Sequence, residues 1–291
     1  MNRLFSFLLT VSLFFSLPCD GQQRLPDESA PVKSLRVLAI GNSFTQDATD
    51  QYLSELFMAA GYSIIVGNCY IGGCTLERHW NNESSTDENT RNSNTYYKYV
   101  QGVKTTTSKV SIATILQDEP WDYVILGQGA GLYGIADSHY PYLDNFLTYF
   151  TNYLTPGSYQ VGYQLNWAFP ANCTDSRFDL YDKDQMKMYF ACRDCAFTLK
   201  VRSGLDLIIP TGTAIQNGRT SSLGDTFNRD WGHLDKAHGR FTAACTWFET
   251  ITGLNVENNT YAPSNLTGEV IGICRKAAHN AVQHPREITS F

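Results

Sequence analysis

The sequence predicts an α/β protein built on a doubly wound, mostly parallel sheet with helices on both sides of it. Short β-branched runs alternate with longer helical segments along most of the chain, and this alternation is typical of parallel strands joined by crossover helices. Of the 291 residues, 43% are hydrophobic and 17% are charged. This composition supplies a large buried core and is too poor in charge for disorder.

Five strands are predicted from β-branched runs that end at turn residues, at 35–41, 62–70, 122–127, 159–165 and 206–210. Helices are predicted from length and periodicity at 49–60, 110–118, 140–153, 182–202 and 234–252, with a shorter one at 270–282. The expected architecture is therefore a three-layer α/β/α sandwich around a five-stranded sheet, formed by residues 35–285.

A polar stretch at 77–109 interrupts this alternation. It is rich in Asn, Ser and Thr and is longer than an ordinary connection between a strand and a helix. We expect an insertion that lies beside the carboxyl edge of the sheet and shapes a substrate site.

The first 21 residues are expected to be a signal peptide, followed by a linker at 22–34. One cation, Arg3, precedes an apolar run from Leu4 to Leu17, a length that fits a secretory signal and is too short for a membrane span. Cys19 keeps a lipid anchor open as an alternative, although Leu17 and Pro18 fit a lipoprotein processing site poorly. The expectation is an exported protein, periplasmic or extracellular, with no transmembrane span in the rest of the sequence.

The charge distribution argues against nucleic acid as a partner. The net charge is −6, from 22 Lys and Arg against 28 Asp and Glu, and no block of like charge occurs. A nucleic-acid binder is expected to carry a basic patch.

Seven cysteines follow Cys19, an odd number that forbids complete internal pairing in an exported protein. Cys192 and Cys195 have the spacing of a redox or zinc motif. They lie in a predicted helix without a second such motif, which favours buried or paired cysteines over a metal site. Cys69 and Cys74 flank a predicted strand end, where they either clip a loop or are two small buried residues.

Residues suited to chemistry follow the predicted strands, at the edge of the sheet where such folds bind ligands. Ser43 stands in a tight turn before a helix, whose amino end favours an oxyanion. Gly73 follows the second strand and Gln128 the third, and Asp230 precedes His233 by three residues near the end of the chain. Each feature alone has a structural explanation. In this order and at these strand ends, the set is much more specific.

These blocks resemble the SGNH (GDSL-like) esterase superfamily, in which a nucleophilic Ser, a Gly, a side-chain amide and a DxxH motif follow in this order. More narrowly, LAIGNSFTQDA, YIGGCTLERHW, WAFP, IIPTGTAIQNGRTS and RDWGHL look like the bacterial domain-of-unknown-function family 4886. Two positions depart from the superfamily. Asn42 stands where the superfamily usually has the Asp of GDS, and Gln128 replaces the usual Asn of the third block.

The resemblance implies an SGNH-type, flavodoxin-like sandwich and a serine esterase. Ser43 would attack an ester carbonyl, His233 would take and return its proton, and Asp230 would orient the imidazole. The amides of Ser43 and Gly73 and the side chain of Gln128 would form the oxyanion hole. No metal or other cofactor is required. By the same resemblance, the substrate would be an acylated carbohydrate, such as an acetylated one, or another small ester.

Three tryptophans lie beside these motifs, where they either stack on a sugar or fill the core near the site: Trp80, Trp167 and Trp231. The alternative function is a non-catalytic carbohydrate-binding or scaffold protein that retains the fold. The presence of Ser43, Asp230 and His233 together favours the enzyme. A zinc or redox protein built on Cys192 and Cys195 is a third, weaker interpretation.

A second DxxH copy, Asp235 to His238, overlaps the first. His238 shares a helical spacing with the apolar residues around it, so we expect it inside a helix as a hydrogen-bonded core residue. His233 precedes that helix, and we expect its ring within about 2.6 to 3.2 Å of the Ser43 hydroxyl. The Asp230 carboxylate should then lie near the other ring nitrogen.

Overall fold

The computed structural model describes residues 33–129 and 131–291. The predicted signal peptide, Cys19 and the first eleven residues of the predicted linker at 22–34 lie outside the described residues. Among the helices in the described ranges, none is long and apolar enough to cross a membrane.

Seven strands of the described chain form one mixed, mostly parallel sheet: β1 (Lys33–Gly41), β2 (Tyr62–Tyr70), β3 (Asn94–Val100), β4 (Val103–Val110), β5 (Tyr123–Leu126), β6 (Gln160–Gln164) and β7 (Leu207–Ile209). Their order in the sheet is β4-β3-β2-β1-β5-β6-β7. The pairs that involve β3 are antiparallel, and the other pairs are parallel. The chain passes from β1 to β2 on one side and later returns to β5 on the other, so the carboxyl end of β1 is a topological switch point.

The connections contain α-helices and three short 3-10 turns. The helices are α1 (Ser43–Thr49), α2 (Leu53–Ala59), α3 (Leu76–Glu83), α4 (Glu88–Arg91), α5 (Ile112–Asp118), α6 (Tyr142–Phe150), α7 (Gln185–Ser203), α8 (Thr211–Arg219), α9 (His238–Thr252) and α10 (Gly268–Gln283). The turns are Ala136–His139, Ser176–Tyr181 and Val256–Asn258.

One face of the sheet is covered by α1, α2 and α9, with α8 and α10 packed against α9. Asn68 of β2 donates to the Thr49 hydroxyl of α1 at 3.2 Å. Gln164 of β6 accepts from the indole of Trp247 in α9 at 2.9 Å. The strand register puts Asn68 and Gln164 on the same face, so α1 and α9 belong to one layer.

The opposite face is covered by α3, α5, α6 and α7. Glu83 of α3 connects three of these helices, because its carboxylate accepts from the Ile112 amide of α5 at 2.7 Å and from the Tyr149 hydroxyl of α6 at 2.6 Å. The Tyr163 hydroxyl of β6 is hydrogen-bonded to Nε2 of His139 at 3.0 Å. The other ring nitrogen of His139 lies 3.9 Å from Sγ of Cys195 in α7. Helices therefore lie on both faces of the sheet.

The predicted five-stranded sheet is wrong by two strands. The polar stretch at 77–109 contains a β-hairpin, and β3 and β4 extend the sheet sideways from β2 rather than lying at its carboxyl edge. The two strands are joined by a two-residue turn, Gln101 and Gly102, with φ of 50° and 79°, and Gly at the second position is typical of such turns. The exposed Thr and Lys side chains of β4 are typical of an edge strand.

Several predicted helices also need correction. The helix predicted at 49–60 is shorter, because Tyr52 adopts a left-handed conformation and α2 begins only at Leu53. A separate helix, α1, precedes it at Ser43–Thr49. Helix α9 begins at His238 rather than at Leu234, since the Asp235 carboxylate accepts from the Ala237 amide and holds a turn there. Helix α8 was not predicted. Its Gly and Thr residues are poor helix formers, but the helix is almost entirely buried, and packing stabilises it.

Candidate active site

Asn42 joins the ends of three strands and begins the helix that carries Ser43. Its Oδ1 accepts from the Phe44 amide at 2.9 Å, which caps α1. Its Nδ2 donates to the carbonyl oxygens of Cys74 and Gln128, each at 2.9 Å. These carbonyls follow β2 and β5. A carboxylate at position 42 has no proton for them, which gives a physical reason for Asn in place of the usual Asp.

Two glycines allow the first turn of α1 to lie close to the sheet. A Cβ atom at Gly41 or at Gly127 would lie 2.6 Å from Cγ2 of Thr45. The Thr45 side chain therefore fills the space above the ends of β1 and β5, and neither position tolerates a larger residue without movement of α1.

Ser43, His233 and Asp230 form a continuous hydrogen-bonded chain. Nε2 of His233 lies 2.9 Å from Oγ of Ser43, and Nδ1 lies 2.8 Å from Oδ2 of Asp230. The other carboxylate oxygen of Asp230 accepts from the amides of Gly232 at 2.9 Å and His233 at 2.7 Å. The Ser43 to His233 distance lies in the range expected from the sequence.

The surroundings of Asp230 favour its ionised form. Burial raises the pKa of this carboxyl, but the Gly232 and His233 amides and the imidazole outweigh burial and hold the pKa below its usual value. An ionised Asp230 keeps a proton on Nδ1 of His233. Nε2 is then free to accept the proton of the Ser43 hydroxyl.

Two backbone amides near Ser43 are available for an oxyanion. In residues 33–129 and 131–291, neither the Ser43 nor the Gly73 amide donates a hydrogen bond. Gly73 is exposed and has a φ of 63°, a conformation that favours glycine. Both amides lie just beyond the ends of the paired strands β1 and β2.

The resemblance predicted that the Gln128 side chain would donate to an oxyanion. In the structure the side chain has other partners. The side chain is fully buried, and its Oε1 accepts from the amides of Leu76 at 2.9 Å and Gly129 at 2.8 Å. Its Nε2 donates to the carbonyl and hydroxyl oxygens of Ser138, both at 3.2 Å. The extra methylene of Gln, compared with Asn, carries the amide past the strand end to the start of α3. Gln128 therefore links the start of α3 to Gly129 and Ser138 through hydrogen bonds.

The loop that carries Asp230 and His233 is held by several hydrogen bonds. The Arg229 amide donates to the His233 carbonyl at 2.9 Å. The Gly232 carbonyl accepts from the Asn228 side chain at 2.9 Å and from the Trp167 indole at 2.7 Å. Trp167 is fully buried. Of the two interpretations from the sequence, Trp167 therefore fits the core role and not sugar stacking.

Asp47 connects the helix of Ser43 to the loop of His233, a role that no sequence motif indicates. It is 1% exposed. Its carboxylate accepts from the Leu234 amide at 2.8 Å and forms ion pairs with Arg240 at 2.7 Å and Arg229 at 3.0 Å. The partners stand 182 to 193 residues away in the sequence. No local pattern around Asp47 could disclose them.

The other two tryptophans have different surroundings. Trp231 is half-buried, with its ring centroid 5.2 Å from that of His233 and the Arg177 guanidinium 3.7 Å from its own centroid. Trp80 of α3 packs edge-on against Phe146 and Tyr149 of α6, at 5.4 and 5.8 Å. Trp80 thus belongs to helix packing, whereas Trp231 lies beside the candidate site with one face covered by Arg177.

The second DxxH copy forms a separate hydrogen-bonded group. Nδ1 of His238 lies 3.0 Å from Asp235, and Nε2 lies 3.0 Å from the Thr226 carbonyl. His238 is hydrogen-bonded as expected. Its predicted burial inside the helix is wrong, because His238 is the first residue of α9 and is half-buried.

The seven cysteines of the described chain are buried, and none of them forms a disulfide: Cys69, Cys74, Cys173, Cys192, Cys195, Cys245 and Cys274. Burial raises the pKa of every one of these thiols. Within the described ranges, no group of three or more His, Cys, Asp or Glu residues is arranged to hold a metal ion.

The fold is similar to that of an SGNH hydrolase. A candidate SGNH hydrolase from Slackia heliotrinireducens matches with a TM-score of 0.50 and 18% identity, over 75% of this chain and 100% of that chain. At this identity the likeness concerns the fold alone.

The chain belongs to the DUF4886 family, as the sequence motifs indicated. Residues 36–281 match the domain of unknown function DUF4886. The crystal structure of a DUF4886 family protein from Bacteroides uniformis ATCC 8492 has a TM-score of 0.85 and 41% identity to this chain, and the match covers 89% of this chain and 98% of that chain. No curated protein matches the chain.

Proposed function

We propose that the protein is an exported serine esterase of the SGNH type that removes acyl groups, such as acetyl, from a carbohydrate. The observation that carries this proposal is the hydrogen-bonded chain from Ser43 through His233 to Asp230, with distances of 2.9 and 2.8 Å. A hydroxyl, an imidazole and an ionised carboxylate in this order form the catalytic triad of serine hydrolases. The SGNH-like fold supports the same reaction class.

In the proposed reaction, Oγ of Ser43 attacks the ester carbonyl while Nε2 of His233 takes the hydroxyl proton. The amides of Ser43 and Gly73 donate to the oxygen that becomes negative, and each donor contributes about 3 kcal/mol to the transition state. Collapse of the tetrahedral intermediate breaks the bond to the alcohol, which leaves with the proton from His233. Water then attacks the acyl-enzyme by the same route and releases the acid.

Two carboxylates support His233 in different ways. Asp230 contacts the imidazole and stabilises its charged form during each proton transfer. Asp47 does not contact the ring. It acts as a positioning residue, because it holds the Leu234 amide next to His233 and belongs to the same helix as Ser43.

An activated-serine probe and an aryl acetate test the proposal together. A fluorophosphonate probe should label the wild-type protein on the peptide that contains Ser43, and Ser43→Ala should abolish both labelling and hydrolysis of the aryl acetate. Ser43→Ala should leave the free energy of unfolding nearly unchanged, because the side chain is half-buried and, among the described residues, its hydroxyl is hydrogen-bonded to His233 alone.

The exposed Ser158 lies outside the site, so Ser158→Ala is the matched control and should retain labelling and activity. If Ser43→Ala keeps most of the wild-type rate, Ser43 is not the nucleophile. Binding of carbohydrate without Ser43-dependent turnover would favour the non-catalytic protein instead. Export is tested separately, by sequencing the amino terminus of protein recovered outside the cytoplasm.

A further inference from the structure

A second surface lies beside Ser43, between α1 and the β3–β4 hairpin. Ser43, Gln46 and Asp50 are three and four residues apart, so they lie on one side of α1 and its C-cap. The Asp50 carboxylate accepts from the Tyr99 hydroxyl of β3 and forms an ion pair with Lys104 of β4. This side of α1 therefore faces the hairpin.

Two tyrosines project from the sheet toward this side of α1. Asn68 bonds to α1 and pairs with Tyr97 across the strands, and Tyr70 follows Asn68 by two residues, so all three side chains lie on the same face. Tyr70 is the last residue of β2 and pairs with Gly41, two residues before Ser43.

The two rings form a continuous aromatic surface that reaches the loop of Gly72 and Gly73. Their centroids are 5.5 Å apart. A Cβ atom at Gly72 would lie 3.3 Å from the Tyr70 hydroxyl, so this ring lies next to the loop that carries Gly73. On the other side, the Lys104 ammonium is 4.3 Å from the Tyr97 centroid.

The polar groups of this surface have unused hydrogen-bonding capacity. Gln46, Tyr70 and Tyr97 are half-buried. In the part of the chain that the structure describes, the Tyr70 and Tyr97 hydroxyls have no hydrogen-bond partner. The side-chain amide of Gln46 has none either, although its backbone amide donates to the Asn42 carbonyl. The surface therefore offers aromatic rings surrounded by free donors and acceptors.

We propose that Gln46, Tyr70 and Tyr97, the tyrosine surface, bind the sugar portion of an acylated carbohydrate whose ester reaches Ser43. This inference rests on the proposed esterase function. A sugar ring presents C–H groups that pack on aromatic rings and hydroxyls that pair with the polar rim. A long aliphatic acyl chain would instead bury those polar groups without partners, at a cost in free energy.

The test compares a small ester with sugar esters. The measured quantity is the ratio of kcat/KM for acetyl release from partially O-acetylated xylo-, manno- and cello-oligosaccharides to kcat/KM for an aryl acetate. The acetyl group is the same in both substrates, and the alcohol portion is a sugar in one and a phenol in the other. Tyr70→Ala and Tyr97→Ala should each lower this ratio about tenfold, mainly through a higher KM for the sugar ester. This change corresponds to about 1.4 kcal/mol, which is within the range of a single aromatic contact.

Tyr159→Ala is the matched control, because Tyr159 is also a half-buried tyrosine but precedes β6 at the opposite edge of the sheet. It should leave both rates unchanged. Tyr97→Phe keeps the ring and tests the hydroxyl separately, with a smaller fall in the ratio expected. An unchanged ratio, whether both rates stay the same or fall by the same factor, would overturn the sugar subsite while the esterase function stands.

A failure of the proposed function gives a different result. If the wild-type protein hydrolyses no ester in a Ser43-dependent manner, calorimetry with the same oligosaccharides decides the question. Weaker binding to Tyr97→Ala than to wild type and Tyr159→Ala would support the subsite without catalysis. Equal binding, or none, would overturn it.

Discussion

At the scale of single residues, the choice of Asn at position 42 is explained by the two hydrogen atoms of its side-chain amide. The Asn42 amide donates to the Cys74 and Gln128 carbonyls in a fully buried setting. Asn42→Asp replaces this donor with a carboxylate of almost the same shape. We expect a loss of about 2 to 4 kcal/mol in the free energy of unfolding at neutral pH, because two buried acceptors lose their partner.

Urea unfolding measures this loss, with the exposed Asn152→Asp as the control for added charge. The new carboxylate has no proton for either carbonyl, so its folded-state pKa should be raised. The deficit should shrink as the pH falls toward 4, where a protonated carboxyl can donate once. An equal stability of Asn42→Asp and wild type at pH 7 would contradict this reading.

Gln128 provides a second test at this scale. Gln128→Ala leaves the buried Leu76 and Gly129 amides without an acceptor, so the free energy of unfolding should fall by about 2 to 4 kcal/mol. The exposed Gln117→Ala should have little effect. Unchanged stability together with a roughly 10²-fold lower kcat would instead restore the oxyanion role inferred from the sequence.

At the scale of elements, α1 and the loop before α9 are joined through Asp47. Asp47→Asn leaves the buried Arg240 without its main counter-charge, and the expected loss of stability is about 3 to 5 kcal/mol. Among molecules that remain folded, kcat on an aryl acetate should fall while KM changes less. The reason is that the hydrogen bond from the Leu234 amide, next to His233, is weakened.

The matched control for Asp47 is Asp50→Asn, at the C-cap of the same helix. Asp50 also pairs with Arg240, but among the described residues its carboxylate has no hydrogen bond or ion pair to the His233 loop. Its effects on stability and on kcat should both be smaller. Active-site titration with the serine probe separates the folded fraction from the rate. A kcat equal to that of wild type in folded Asp47→Asn would remove Asp47 from its positioning role.

The sequence predicted those elements whose pattern is local. The buried parallel strands and the spacing of Asp230 and His233 needed no knowledge of distant contacts. Helix α8 was missed because packing overrides its weak propensity, and Gly212 lies against the Asn166 carbonyl where no Cβ fits. The hairpin was missed because its exposed Thr-rich strand resembles a polar loop. Asp47 could not be found, since its partners are defined by the fold alone.

At the scale of the whole molecule, the cysteine thiols should react slowly in the folded state. The seven cysteines of the described chain are buried and unpaired, and burial raises the pKa of each thiol. Iodoacetamide should therefore modify them slowly in the native protein and rapidly after unfolding, as peptide mapping can measure. A reductant should leave the unfolding midpoint unchanged. Rapid native labelling of Cys192 or Cys195 would revive the redox interpretation.

The position of β1 at the switch point also has a consequence for how such a protein can diversify. Everything on one side of β1 in the sheet, β2 and the β3–β4 hairpin, precedes β5 in the sequence, and His233 comes after the last strand on the other side. The proposed nucleophile thus stands between two halves with separate tasks. Under the proposed function, changes in the hairpin would alter which molecule is bound without replacing the proposed base, so one triad would serve many substrates over evolutionary time.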